Sequence, residues 1–328
     1  MKRIEYYLPE KILTNTELHQ RFPEWDHEAF EAKIGIQQRH ISHKDETALD
    51  LAVAASEKVL QNVDRSDVDF VLLCTQSPEY FLPTTACLLQ DKLGLSKNCG
   101  AFDFNLGCSG YVYGLALAKG LLASGTASCL LLVMTETYSK YIHPGDKTNL
   151  SIFGDGAAAT LLTQDEVTEI GQFVLKTDGS GFDKLIVKNG ASRFPLEGNP
   201  IQKNYGENNI YTDNHIYMNG PDIFSFTIDN IPHLVAATLE KNKLMMDDID
   251  YFVFHQANAF MLEFLRKKIK IPREKFYINL KETGNTVSAT IPIGLKDLLE
   301  QGVLQKGHKV LLAGFGVGLS WGAVVITI

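Results

Sequence analysis

A thiol, an imidazole and a carboxamide stand out in this 328-residue sequence because of where they fall. Cys108 follows Phe102, Phe104 and Leu106, which alternate with Asp103 and Asn105 at the period of a strand until Gly107 ends the alternation. From Tyr111 to Ser124 the chain is almost wholly apolar (Val112, Leu115, Leu117, Leu121, Leu122), the pattern of a buried helix. Cys108 is therefore expected at a sharp strand-to-helix turn, at or beside the helix N-terminus. Unpaired N–H groups and the helix dipole favour an anion there. A thiol so placed loses its proton more readily and becomes a nucleophile. The ordinary alternative is a cysteine that only fills core.

His255 ends the apolar run Tyr251–Phe254 and opens His255-Gln256-Ala257-Asn258, after which an amphipathic helix begins. A histidine at a strand end is ordinarily structural; this one sits in a polar cluster bounded on both sides by apolar sequence. Asn285 lies in the small, polar loop Gly284 to Pro292, ahead of a helix from Ile293 to Leu299. A turn and helix N-cap would use the same residue types, so spacing alone does not single out Asn285. The glycine-rich run Gly314 to Gly322 follows a strand, but only another strand, to Ile328, remains after it. A dinucleotide fingerprint needs a helix there and is rejected; the run suits a loop bringing backbone N–H groups to a reacting oxygen. His40 and His43 lack a metal-type partner set, and no metal site is expected.

These residues need elements to hold them. Helical spacing covers Glu46 to Gln61, and Val68 to Cys74 reads as a buried strand. Pro83-Thr84-Thr85 opens a helix through Leu93. Cys129 to Met134 is another buried strand, and Ile152 to Gly156 is a glycine turn leading into a strand to Leu162. The second half repeats the first. Ser66–Cys74 lines up with Asp247–His255, Cys129–Met134 with Lys309–Gly314, and Gly156–Leu161 with Gly322–Thr327. The order is kept, which points to an internal duplication of a mixed α/β unit. The halves fall at 1–165, carrying the cysteine, and 166–328, carrying the histidine and the asparagine. The polar stretch Asn189 to His215 is expected to be a long surface excursion.

Composition narrows the partners. A net charge of -8 argues against nucleic acid or an anionic membrane. No apolar run is long and charge-free enough to cross a bilayer. Met1-Lys2-Arg3-Ile4-Glu5 has no apolar stretch behind its basic residues and does not read as a secretory signal. Five cysteines without metal spacing point to a reducing cytoplasm.

With Cys108, His255 and Asn285 in hand, the sequence resembles β-ketoacyl-acyl-carrier-protein synthase III of the thiolase-like superfamily. The resemblance runs from Tyr7-Leu8-Pro9-Glu10 with Thr14-Asn15, through Gly35-Ile36 with Arg39-His40, the Cys108 turn and Phe153-Gly154-Asp155-Gly156-Ala157. It continues through His255-Gln256-Ala257-Asn258 and Gly284-Asn285-Thr286 to Ser320-Trp321-Gly322. Asn285 fits the Cys-His-Asn type. The resemblance implies a five-layered αβαβα fold of two similar halves, a homodimer, no bound cofactor, and acyl carrier protein as partner. Cys108 would take an acyl group from an acyl-coenzyme A or acyl-carrier thioester and condense it, with decarboxylation, with malonyl-acyl-carrier-protein. His255 and Asn285 would donate hydrogen bonds to the malonyl thioester oxygen, and the backbone N–H groups of Cys108 and Val317 would hold the first oxyanion.

By the same resemblance, Gln256, Asn258, Gly220 and Phe224 would contact the carrier's pantetheine arm, and Lys267 and Lys268 would dock the carrier. Phe315 would line the acyl pocket, and Leu82 would cap it across a dimer. Lys33 and Lys147 occupy positions where the family carries arginines. Phe260 replaces another arginine, and Trp25 is out of register with the family's tryptophan. A point charge does not copy a bidentate guanidinium clamp, which favours a carrier-bound acyl donor over coenzyme A. The other readings are acyl transfer from Cys108 to a hydroxyl or amine, and a non-catalytic partner subunit, which retention of all three residues opposes. In the helix after Asn258, the apolar positions Phe260, Met261, Phe264, Leu265 and Ile269 are expected to be buried, with Arg266, Lys267, Lys268 and Lys270 on the solvated face.

Overall fold

Two sheets, each drawn from one half of the chain, carry the site between them. The computed structural model describes residues 3–206 and 208–328. Met1, Lys2 and Glu207 lie outside these, and with them part of the N-terminal segment and of the Asn189–His215 stretch discussed above.

The first sheet holds β1 (Arg3–Tyr7), β2 (Phe70–Cys74), β3 (Gly100–Phe104), β4 (Cys129–Glu136) and β5 (Gly156–Thr163), in the order β1-β5-β4-β2-β3. The second holds β6 (Val174–Thr177), β7 (Tyr251–Phe254), β8 (Lys309–Gly316) and β9 (Ser320–Thr327), in the order β7-β8-β9-β6. In each, one parallel pair (β2 with β4, β7 with β8) is followed by an antiparallel one (β4 with β5, β8 with β9). A lone parallel bridge from Phe252 to Phe276 takes the place that β3 has in the first sheet. β4 is buried at every position, as a central strand covered on both faces must be, and hence reads as an unbroken apolar run.

The helices form the remaining layers. α1 (Ala48–Val59) and α2 (Thr85–Lys92) cover the outer face of the first sheet, and α4 (Gly220–Lys241) and α5 (Ala259–Ile269) that of the second. Between the sheets lie α3 (Gly110–Ala123) and α6 (Thr290–Glu300). Three apolar clusters fill the gaps between the five layers, the middle one joining Leu72 and Met134 to Val253 and Leu312 through Tyr111, Leu115, Ile291 and Leu295. This is the αβαβα arrangement that the resemblance implies.

Local chemistry sets the element ends. α1 starts at a capping box in which Thr47 and Asp50 exchange hydrogen bonds. Asp69 accepts from the N–H groups of Ser128 and Cys129, and Asp250 from that of Lys309, so the same aspartate fastens the parallel pair in both halves. Two expectations shift. Cys129 faces Thr163 and Lys309 faces Thr327, so Gly156 corresponds to Ser320, two residues from the Gly322 match suggested by sequence. Two is the pleat period, so the inward face is unchanged and only the pattern was ambiguous. And α3 is buried mainly over its first half: Leu117 is 41% exposed, and its last turn reaches solvent. The 189–215 excursion connects two paired strands, Leu185–Val187 and Ile216–Met218, and contains a hairpin of its own.

Candidate active site

Cys108 sits in the turn between β3 and α3, two residues before the helix begins. That turn is pressed against the end of β8, and only glycines allow the approach. A side chain at Gly314 would lie 2.7 Å from the Cys108 carbonyl oxygen, and one at Gly316 would lie 2.8 Å from Sγ. At Gly110 a Cβ would strike Cys74 Sγ at 2.5 Å. Ser109 and Ser320 hydroxyls, 2.6 Å apart, tie the turn to β9 across the two halves. The close approach brings the main-chain N–H of Val317 to the Cys108 sulfur, alongside that of Cys108 itself.

These N–H groups favour the thiolate, as the helix-start position suggested, but burial opposes them and is the larger effect. The thiol is pushed up to about 12, chiefly by loss of solvent. The expectation of an easily ionised thiol is therefore corrected: Cys108 rests as a thiol, and the donors around it are placed to hold charge that develops during reaction.

His255 follows β7 and is 1% exposed. Nδ1 lies 2.8 Å from Thr290 Oγ1, and the ring meets Phe315 edge-on, with centroids 5.8 Å apart. Burial pushes the imidazole down to about 3, so it is neutral at pH 7. Asn285 is held from both sides. Its N–H donates to Ile152 O and its carbonyl accepts from Gly154 N, while Oδ1 accepts from Val287 N at 2.9 Å. The Phe153-Gly154-Asp155-Gly156 motif thus acts structurally: its backbone clamps Asn285, and Asp155 accepts from the N–H and hydroxyl groups of both Ser42 and Ser139.

Cys108, His255 and Asn285 line one cavity of about 360 Å³. Its walls are mostly apolar, among them Ile152, Phe153, Leu185, Ile223 and Phe315, and its rim includes Lys33, Gly220, Phe224, Asn258 and Phe260. A buried thiol, a neutral imidazole, a pinned carboxamide and two converging N–H groups in such a cavity can hold an acyl thioester and stabilise a carbonyl oxygen as it gains charge.

The comparisons with known proteins agree on one family. The model for the C-terminal part of 3-oxoacyl-[acyl-carrier-protein] synthase III matches residues 239–328, and a second model for that synthase matches residues 102–179. A β-ketoacyl-[acyl-carrier-protein] synthase III of Clostridium perfringens is 39% identical over 323 residues, covering 98% of this chain and 96% of that protein. The chain belongs to the β-ketoacyl-acyl-carrier-protein synthase III family. A solved 3-oxoacyl-(acyl-carrier-protein) synthase III superposes with a TM-score of 0.98 at 46% identity, covering 100% of this chain and 99% of that one. The Pseudomonas aeruginosa synthase III superposes at 0.86 with 31% identity, covering 99% and 96%.

Within this synthase III frame, the cavity contains Gly220, Phe224, Asn258 and Phe315 of the residues named from sequence. Several others lie elsewhere. Gln256 is buried and is not among the cavity's lining residues; its Nε2 donates to Phe254 O and Tyr277 O and its Oε1 accepts from Asn279 N, so its amide braces the strand end. Leu82 is 87% exposed, beside exposed Tyr80 and Phe81, and does not line this chain's own cavity. Lys267 and Lys268 are exposed on α5 outside the cavity, and Lys268 Nζ donates to Ile228 O at 2.7 Å. Lys147 is buried, 3.5 Å from Glu24, and Trp25 is buried with Leu13 and Leu18. The buried face of α5 is Met261, Leu262 and Leu265. Phe260 and Phe264 are 46% and 39% exposed and pack instead against Phe224, because α4 offers an aromatic edge at the rim.

Sequence reasoning missed Glu136 and Thr290. Glu136 lies fully buried behind Cys108, with its oxygens accepting from Gln76 N, Ser77 Oγ and Ser288 Oγ. A glutamate closing an otherwise apolar run was the available signal. Thr290 sits in a loop whose hydroxyls suggested helix capping; the N-cap of α6 is Ala289, and the Thr290 hydroxyl turns to His255.

Proposed function

We propose that Cys108 carries the acyl group in this synthase, whose function is the condensation of an acyl thioester with malonyl-acyl-carrier-protein, a step of fatty acid biosynthesis. The N–H groups of Cys108 and Val317 hold the oxyanion formed when its sulfur attacks the thioester. One such donor is typically worth about 3 kcal/mol of barrier. In the second half-reaction the malonyl group loses carbon dioxide, and the enolate attacks the acyl-Cys108 carbonyl. Asn285 Nδ2 stabilises the enolate oxygen, since Oδ1 is engaged by Val287 N. His255 lines the same cavity and donates a second hydrogen bond to that oxygen.

The observation that carries this reading is the convergence of Cys108 Sγ, the Val317 N–H and the Asn285 amide on one mostly apolar cavity. The loading donor we propose is a carrier-bound acyl group. Among the described residues Lys33 is the only lysine or arginine lining the cavity, and its ammonium lies 5.3 Å over the Phe260 ring; Lys147 is paired with Glu24. A phosphorylated nucleotide finds few cations at such a rim. The adjacent exposed residues Tyr80, Phe81 and Leu82 support a homodimer in which this loop is covered, and five unpaired cysteines fit a reducing cytoplasm. Among the described residues no helix is long and apolar enough to cross a membrane.

Intact-protein mass after exposure to acyl-carrier and acyl-coenzyme A thioesters tests the loading step, and peptide mapping locates the label. Added mass on Cys108, faster from the carrier, is the expected result. Label on Cys74, Cys87, Cys99 or Cys129 rejects the nucleophile assignment, and equal or faster loading from coenzyme A rejects the donor assignment.

A further inference from the structure

A second cavity, of about 490 Å³, opens beside the active one and is built from different elements. It lies where the antiparallel pair Ile12–Thr14 and Gln38–His40 meets the turn Tyr138–Tyr141 and the helix Lys147–Ile152. Around it stand Lys11, Arg21, Lys44 and Lys140, and among the described residues lining it none is acidic. In a chain of net charge -8 this is a local inversion of sign.

Among the described residues none of these cations forms an ion pair. Arg21 donates to Pro144 O at 3.1 Å, and Lys140 Nζ donates to His43 O and Lys44 O, both at 2.9 Å. Those acceptors are neutral carbonyls, so they hold the two side chains in place and leave their charges uncompensated. The nearby carboxylates have other partners. Glu17 closes a capping box with Thr14, Glu46 accepts from His43 N, and buried Asp155 takes its hydrogen bonds from Ser42 and Ser139 beneath the cavity.

The floor is apolar: Leu13, Ile142 and Phe153 are buried, and Ile41 and Leu150 half-buried. Inorganic phosphate would be drawn by the cations alone and makes no use of such a floor. An alkyl chain does, gaining roughly fourfold in affinity for each methylene buried. We propose that this cavity binds an amphiphilic anion, an alkyl chain ending in a carboxylate or phosphate, with the chain on the floor and the head group among the cations.

Phe153 connects this site to the active one. It lines both cavities, and its backbone bridges to Asn285. A close-packed interior has little slack for occupants on both sides of one ring, so an alkyl chain on the floor and an acyl group on Cys108 oppose each other. Such coupling is reciprocal in binding. The coupling rests on the reading of Cys108 as the acyl acceptor; the binding site does not.

Isothermal titration calorimetry of the full-length protein with decyl phosphate, decanoate and inorganic phosphate, below micelle-forming concentrations, tests the site. Both alkyl anions should bind about tenfold or more tighter than inorganic phosphate, and the tighter of the two names the head group. Lys11 and Lys44 are exposed. The double variant Lys11→Glu with Lys44→Glu should therefore fold, load Cys108 at the wild-type rate without a probe, and bind the alkyl anions about tenfold or more weakly. Equal binding by that variant would put the alkyl chain in the active cavity and overturn the proposal. Inorganic phosphate binding as tightly as decyl phosphate would take the floor out of the site and overturn it as well. Saturating decyl phosphate should slow acyl loading of Cys108 several-fold in the wild type and not in the variant; an unchanged wild-type rate rejects the link through Phe153. If no thioester labels Cys108, the loading reading fails, while the calorimetry still decides the site.

Discussion

The main-chain N–H of Val287 donates to the side-chain oxygen of Asn285 at 2.9 Å, and this fixes which edge of the amide can serve the cavity. Oδ1 is engaged, so the free edge is the Nδ2 donor. Asn285→Asp would keep the Val287 contact and replace the donor with an anionic oxygen. Malonyl decarboxylation should then fall by roughly a hundredfold or more, the scale of one oxyanion donor lost, and at least as far as in Asn285→Ala. Cys108 loading from an acyl thioester should persist in both. A fully active aspartate variant would exclude a donor role for Nδ2.

The Cys108 thiol is pushed up to about 12 by burial, against the pull of the Val317 and Cys108 N–H groups. With a raised value the thiolate fraction is small at pH 7 and grows tenfold per pH unit until the pKa is reached. Alkylation of Cys108 by a neutral reagent should therefore keep rising from pH 7 to pH 10. A plateau below pH 8 would mean an ionised resting thiolate.

What the sequence disclosed and what it hid separate along physical lines. The Cys108 turn was legible because Gly107 breaks a strand alternation just before an apolar helix, and periodicity is a local property. The balance between helix-start donors and desolvation was not, since it depends on how tightly Gly314 and Gly316 let β8 approach. The duplication was legible down to Asp69 and Asp250, yet its last strand slid by two residues, a shift that preserves which side chains face inward. Phe260 and Phe264 looked like core by spacing, but an aromatic partner at Phe224 lets them stay half in water. Asn285 became a candidate only through resemblance. Its clamp comes from Ile152 and Gly154, more than a hundred residues away, and no local pattern encodes that.

Gly316 is the closest of these approaches to the sulfur. An alanine Cβ would sit 2.8 Å from Cys108 Sγ and 2.9 Å from Cys108 Cβ, so the turn or β8 must shift to admit it. Gly316→Ala should cut acylation by about a hundredfold, the cost of displacing a reacting group by an ångström. The far-UV circular dichroism should remain that of the wild type. Normal loading would show that the turn yields without displacing the sulfur.

Glu136 makes a stability prediction. Burial pushes its carboxyl up from 4.5 to about 8, despite hydrogen bonds from Gln76, Ser77 and Ser288. The folded state then holds a proton that the unfolded chain releases between those values. Stability contributed by this group is thus complete below pH 4.5 and lost as pH rises through about 8. Glu136→Gln, which cannot ionise, should lack that loss. Urea midpoints at pH 5 and pH 8.5 should show the variant gaining on the wild type at the higher pH, by an amount on the order of a few kcal/mol. Parallel pH profiles would contradict the assignment.

The basic face of α5 supplies the last prediction, because its cations are not equivalent. Arg266 and Arg273 are paired with Glu263, Lys268 reaches Ile228 O, and Lys275 reaches Ile249 O. Among the described residues the side chain of Lys267 has no hydrogen bond or ion pair, so its charge is free for a partner. A chain of net charge -8 that must meet an acidic carrier needs a local positive face, and such attraction acts mainly on encounter and weakens with salt. Solvation alone would explain a basic helix face equally well. Lys267→Glu should raise the KM for malonyl-carrier protein several-fold at low salt, with the difference from wild type shrinking as salt is added. Loading of Cys108 from a small, carrier-free thioester should be unaffected, since Lys267 lies outside the cavity. Lys268→Glu, by contrast, also removes the contact to α4 and should lower thermal stability. If Lys267→Glu leaves carrier kinetics at low salt unchanged, the carrier docks on another face.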